Sequence, residues 1–109
     1  MSHENILKWP SGDCKPVLAT RKMPSELANA KGVTTFRSRD DLDWFEGAIF
    51  ETDTLGTILI MRHDNSPAKL TAFYIDAGME PTVAEKNLAQ FFDLAESEIE
   101  WRLSRSDNV

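Results

Sequence analysis

Three runs in the middle of the chain show the residue pattern of β-strands. Residues 44–52 read WFEGAIFET, residues 57–62 read TILIMR and residues 69–76 read KLTAFYID. All three are rich in the β-branched and aromatic side chains that suit a pleated surface. Turn-forming stretches at 53–56 and 64–67 separate the runs. The pattern predicts an antiparallel meander of three strands.

One amphipathic helix is expected after the meander. Residues 82–85 read TVAE, a capping box in which the hydroxyl and the carboxylate would satisfy free backbone N–H groups. Apolar side chains then recur at helical spacing, at Ala84, Leu88, Phe91, Phe92 and Ala95. We predict a helix over about 82–95 that packs on one face of the sheet, because burying each phenylalanine stabilises the fold by about 1.5–3 kcal/mol.

Two runs fit either a helix or a strand. Leu42, Phe45 and Ile49 have helical spacing, but a turn and a second strand follow them, so we favour a strand. Residues 98–103 alternate strictly between polar and apolar, and a strand there buries Trp101, which a helix would leave off its apolar stripe. We predict a strand here too. If it lies parallel to strand 69–76, the helix forms a right-handed crossover between them.

The N-terminal quarter has the weakest pattern. Proline and glycine punctuate residues 1–24, which predicts an irregular arm. A short helix is expected near 25–31, with Ser25 as its N-cap and Gly32 as its stop, and then a strand over 33–36. The fold class is therefore α+β: a mostly antiparallel meander sheet with helices on one face. Residues 25–109 would form a single domain.

Charge narrows the choice of partners. The 109 residues carry a net charge of −6, and residues 38–54 hold six acidic side chains against one basic. This balance disfavours nucleic acid and anionic membranes and favours a basic protein partner. The chain holds no apolar run near the ~20 residues that a membrane span needs. With the single Cys14 and no secretory leader, we expect a cytoplasmic protein, and its small size allows a homodimer.

The sequence contains no recognisable catalytic or metal-binding motif. Its two histidines lie sixty residues apart and its glycines are scattered, so we assign no catalytic residue, metal or cofactor. His63 is the most interesting titratable group, because it lies where the second strand meets its turn. With Asp64 and Tyr74 it could line a pocket at the end of the sheet. The alternative is that these polar residues simply end a strand.

The strongest candidate site is a cluster of carboxylates around aromatic residues. Acidic side chains surround Trp44 at Asp40, Asp41, Asp43 and Glu46, and Glu98 and Glu100 offer a second acidic edge. Aromatic anchors ringed by charge are typical of protein-binding surfaces. The alternative is that Trp44 and Phe45 belong to the core and that the aspartates lie in a solvated loop.

In size and acidity, though in no specific residue, the chain resembles bacterial immunity and antitoxin-type proteins. That resemblance implies a small binding protein that neutralises a basic toxin. Two other hypotheses remain open. One is a small ligand-binding or enzymatic domain with a pocket near His63, and the other is a subunit of a homo-oligomer.

Overall fold

A computed structural model describes residues 14–39, 43–65 and 68–106 of the chain. These ranges contain six strands, β1 (Cys14–Thr20), β2 (Phe36–Arg39), β3 (Trp44–Thr52), β4 (Gly56–His63), β5 (Thr71–Asp76) and β6 (Ile99–Arg102). They also contain three helices, α1 (Pro24–Ala30), α2 (Pro81–Phe92) and α3 (Leu103–Ser106), and a 3₁₀ turn at Glu96–Glu98. The strands form one sheet in the order β2-β3-β4-β5-β1-β6, with every neighbouring pair antiparallel. The predicted α+β class with a meander over β3, β4 and β5 is confirmed.

The core lies between the sheet and the helices α1 and α2. Opposed residues of antiparallel strands share a face, so Ala48, Ile60 and Phe73 line the same side of the sheet. We call this side the helix face, because the buried side chains of α1 and α2 join the same cluster. The ring of Phe92 contacts those of Phe50 and Phe73 at centroid distances of 4.9 and 5.0 Å. Edge-to-face packing of this kind stabilises α2 on the sheet beyond simple burial.

The predicted irregular arm is wrong for residues 14–20, which form β1 between β5 and β6. Val17 and Leu18 are fully buried there. Pro16 is accommodated because the β1–β5 register shifts between Pro16 and Leu18, and a bulge tolerates the missing N–H donor. The prolines therefore misled the prediction. Residues 1–13 of the arm lie outside the described residues.

The short helix lies where it was expected, but its cap differs. Met23, rather than Ser25, is the N-cap of α1, and Glu26 accepts a hydrogen bond from the Met23 N–H at 3.0 Å. Gly32 ends the helix with φ at +70°, a conformation that glycine adopts without strain. Val33 donates to Ala28 at 2.9 Å and so belongs to this helix end. The strand predicted over 33–36 accordingly starts only at Phe36, as β2.

The start and the end of the main helix also differ from prediction. Thr82 is not the N-cap of α2; Glu80 is, and its carboxylate accepts a hydrogen bond from the Val83 N–H at 3.0 Å. The helix ends at Phe92, because Asp93 takes the left-handed conformation with φ at +55°. The predicted capping box is thus wrong, and Glu85 has another role, described below.

The strand predicted over 98–103 is confirmed as β6, although Leu103 already opens α3. Both β5 and β6 pair antiparallel with β1, so they run parallel to each other on its two sides. Helix α2 therefore connects two parallel strands, β5 and β6, as a crossover requires. Strand β1, which was not predicted, lies between them in the sheet.

Candidate functional site

Trp44 and Phe45 open β3 and lie on opposite faces of the sheet. Trp44 is 48% exposed, whereas Phe45 is 1% exposed. The ring of Phe45 packs on Phe36 and His63, at centroid distances of 6.1 and 5.6 Å. Trp44 lies on the helix face with Ala48, which is fully buried. The exposed indole therefore stands at the end of the sheet, where the covering helices no longer bury this face.

The backbone beneath Trp44 is held by hydrogen bonds from the turn after β4. The Asp64 N–H donates to the carbonyl of Trp44 at 2.9 Å. Asn65 donates through both its backbone N–H and its side-chain amide to the carboxylate of Asp43, each at 2.9 Å. Hydrogen bonds from the backbone of Trp44 and then of Asn65 lower the pKa of Asp43, because they stabilise its charged form. Hydrogen bonds thus fix the backbone that carries the exposed indole.

Arginines separate the carboxylates around Trp44. Arg37, Glu46 and Arg62 occupy opposed positions on β2, β3 and β4 and so form a row across the helix face. Arg39 lies opposite Trp44 in the same way. Arg37 forms a 2.5 Å ion pair with Asp64. Trp44 and Glu46 therefore share the helix face with arginines opposite both of them, so this surface carries both signs of charge, and the Asp43 carboxylate is held by Asn65 just before β3.

A groove lies beside this row. It has a volume of about 220 Å³ and is lined by Met23, Arg37, Glu46, Arg62, His63, Asp64 and Lys69. We call it the Arg62 groove. The Arg62 guanidinium contacts the Met23 Sδ at 2.8 Å and the carbonyl of Arg21 at 3.5 Å. Lys69 is exposed in the loop before β5 and has a positive φ of 57°.

The second acidic edge lies apart from Trp44. Glu98 and Glu100 flank the start of β6, four strand spacings from β3, which is about 19 Å. Lys22 pairs with Glu98 at 3.3 Å and Arg21 pairs with Glu100 at 3.4 Å. A hydrogen bond from the Ala95 N–H, followed by one from Lys22, lowers the pKa of Glu98. These two carboxylates form a separate, paired group, and Asp40 and Asp41 lie outside the described residues.

The three residues of the predicted pocket do not come together. His63 and Asp64 line the Arg62 groove, but Tyr74 does not. Tyr74 lies opposite Leu59, four positions from His63 along β4, which corresponds to about 13 Å. Within the described ranges, no three His, Cys, Asp or Glu side chains gather as a metal site.

Sequence reasoning missed Arg62, Lys69 and Met23 as members of the site. The signal was present only in part, since Arg62 directly precedes His63, the residue that drew attention. Strand register brings Arg62 beside Glu46, and the position of α1 brings Met23 to the same place. Neither relationship is local in sequence.

Together these features define an α+β domain that displays a tryptophan, within a mixed-charge surface, at one end of an antiparallel sheet. No family model, curated protein or solved structure matches the chain. None of the helices in the described ranges has the length and apolar character needed to cross a bilayer.

Proposed function

We propose that the protein is a binding domain that recognises another protein through a surface centred on Trp44. The observation that carries this proposal is the 48% exposure of Trp44. Tryptophan and arginine are the residues most enriched among those that dominate binding energy at protein interfaces. Here Arg39 lies directly opposite Trp44, and Arg37 lies two positions further along β2.

The hydrogen bonds that fix the backbone at the start of β3 support this proposal. Binding requires that mobile side chains and loops become fixed, which subtracts from affinity. The bonds from Asp64 to the Trp44 carbonyl and from Asn65 to Asp43 already fix the backbone on both sides of the β3 start. Binding of a partner would therefore immobilise little more than the indole itself. Because tryptophan has only two side-chain torsions, little conformational entropy is lost when it is fixed.

Neutralisation of a basic toxin is one form that this binding function could take. That idea rests on size and on net acidity. The described residues hold thirteen acidic side chains against eleven basic ones, so most of the excess negative charge lies outside them. The exposed indole supports protein binding without specifying the sign of the partner's charge.

The test is affinity capture from the native host with three forms of the protein: wild type, Trp44→Ala and Val83→Ala. Val83 is the matched control, because it is 52% exposed and lies in the first turn of α2, away from β3. We expect a stoichiometric protein that wild type and Val83→Ala retain and that Trp44→Ala loses. Removing a dominant anchor costs about 2 kcal/mol or more, which weakens binding about thirtyfold.

Equal retention by Trp44→Ala and Val83→Ala would remove Trp44 from the interface and overturn the proposal. If the protein retained through Trp44 is a second copy of this chain, the homo-oligomer hypothesis replaces recognition of a different partner. Size measurement of the purified protein in solution would then give the stoichiometry directly.

A further inference from the structure

We propose that the Arg62 groove binds an acidic side chain of the partner, so that the recognised segment pairs an apolar residue on Trp44 with a carboxylate beside it. This inference rests on the proposed function and specifies its partner. It reverses the sign of charge that the net acidity of the chain suggests. Two cations of the groove, Arg62 and Lys69, form no ion pair with a carboxylate in the described residues.

Arg62 is the first of them. A guanidinium carries five N–H donors and pairs best with a carboxylate, often through two parallel bonds. In the described part of the chain, Arg62 instead contacts a carbonyl oxygen at 3.5 Å and the Met23 sulfur, which is a weak acceptor. Glu46 lies directly opposite it on the neighbouring strand β3, but the two form no ion pair. Arg62 therefore has donors to spare for a carboxylate that enters the groove.

Lys69 is the second. Its ammonium forms no hydrogen bond or ion pair within the described ranges, and its side chain lines the groove. The third cation, Arg37, already pairs with Asp64 at 2.5 Å. The groove thus presents two cations without carboxylate partners, and the remaining carboxylate, Glu46, offsets only one of them.

The size of the groove restricts its occupant. A volume of about 220 Å³ is below the ~300–1,000 Å³ that is usual for small-molecule pockets. A groove of this size suits one carboxylate-bearing side chain, while the rest of that chain lies outside on Trp44.

Local charge, rather than net charge, decides the sign of the occupant. Exposed charges are screened beyond about 8 Å at physiological ionic strength, so distant carboxylates contribute little to the groove. The same surface suits nucleic acid poorly. A phosphate backbone needs a continuous basic track, and here Glu46 and Asp64 interrupt it.

The first experiment measures binding of three fluorescent probes: a copolymer of glutamate and tyrosine, a copolymer of lysine and tyrosine, and single-stranded oligothymidylate. The test variant is Arg62→Gln/Lys69→Gln. The matched control, Lys31→Gln/Lys86→Gln, removes the same charge from exposed positions beyond the groove. We expect the glutamate copolymer to bind best. We also expect the test variant to weaken that binding about tenfold or more, and the control by less than about threefold.

Preference for the lysine copolymer or for oligothymidylate would overturn the inference. So would an absence of glutamate-copolymer binding, or equal weakening by the test and control variants. Lys69→Gln alone keeps the test decisive if the double variant unfolds, because Lys69 is an exposed loop residue. This single variant should weaken binding about threefold or more, and unchanged binding would count against the inference.

The capture experiment separates this inference from the proposed function. One outcome is that Trp44→Ala loses the partner while Arg62→Gln/Lys69→Gln retains it. This outcome supports binding through Trp44 but contradicts the binding of an acidic side chain in the Arg62 groove. Loss with both variants supports both proposals. Retention with both variants overturns both.

Discussion

The carboxylate of Glu85 accepts two hydrogen bonds from Ser104, one from its backbone N–H and one from its hydroxyl, both at 2.8 Å. Glu85 is only 3% exposed, so its charge depends on these donors and on Arg102, whose guanidinium lies 3.5 Å away. Arg102 and Arg105 also pair with Glu96 on the rim. This network fastens the start of α3 to the middle of α2.

We expect Glu85→Ala to lower the free energy of unfolding by about 3 kcal/mol, because it removes the acceptor of two charge-assisted hydrogen bonds and a partner of Arg102. Ser104→Ala should cost about 1 kcal/mol, since the backbone bond survives. Lys86→Ala, at the neighbouring exposed position, is the control and should stay within about 0.5 kcal/mol. Urea unfolding followed by circular dichroism measures all three. Similar midpoints for Glu85→Ala and Lys86→Ala would show that the network adds no stability.

The faces of β3 predict opposite outcomes for two adjacent substitutions. Phe45→Ala should lower the free energy of unfolding by about 3–5 kcal/mol, because it leaves a cavity beside Phe36 and His63. Trp44→Ala should cost less than about 1 kcal/mol, because Trp44 is already about half exposed to solvent. Thermal and urea unfolding of both variants measure the difference. A large loss from Trp44→Ala would mean that the indole supports the fold and would weaken its role in binding.

A third prediction concerns the close contact at Gly47. A Cβ atom there would lie 2.9 Å from the carbonyl oxygen of Ile60 and 3.1 Å from the ring of Phe36. The first neighbour is backbone of the adjacent strand and cannot move aside, so Gly47→Ala should cost about 1–3 kcal/mol. At Gly78 the nearest atom is the side-chain oxygen of Asp76, at 3.3 Å. Gly78→Ala is therefore the control, and equal midpoints in urea for the two variants would contradict this reading of the sheet.

The sequence predicted the elements whose signals are local. The three strands of the meander are rich in β-branched and aromatic residues and are separated by strong turns. The stop at Gly32 indicated the short helix and apolar spacing indicated the longer one, although the caps of both helices and the end of the longer one differ from prediction. β1 was missed because Pro16 argues against a strand unless a bulge absorbs it. Its place between β5 and β6 depends on contacts distant in sequence, which no local pattern encodes.

For the candidate site too, the sequence indicated only the residues that are close to one another along the chain. Asp43, Trp44 and Glu46 are close in sequence, so the sequence alone could propose them as a site, with a buried tryptophan as the alternative. The row of Arg37, Glu46 and Arg62 depends on the register of three strands. If one of these strands paired with its neighbour one residue out of register, its side chain in the row would lie on the other face of the sheet. The charge of the surface could therefore not be read from the sequence, although the aromatic residue at its centre could.

The last prediction concerns acid stability. A hydrogen bond from Thr82, followed by one from the Val83 N–H, lowers the pKa of Glu80 at the start of α2. The pKa values of Asp43 and Glu98 are also lowered, in each case first by a backbone hydrogen bond. A carboxyl group whose pKa is lower in the folded state binds protons more readily when unfolded. Its stabilising effect is complete above the unfolded pKa, near 4, and is lost as pH falls through the folded pKa.

Stability should therefore fall as pH drops from about 5 toward about 2, and Glu80→Gln should flatten that decline, because it removes one of the three groups. Asp53→Asn removes one carboxylate from the exposed turn between β3 and β4 and controls for the change in net charge. Urea unfolding at a series of pH values gives the slope for each protein. If the stability of Glu80→Gln and Asp53→Asn falls in parallel over this range, the Glu80 cap of α2 does not contribute to the acid transition. The carboxylates of Asp43 and Glu98 would then be the next groups to test.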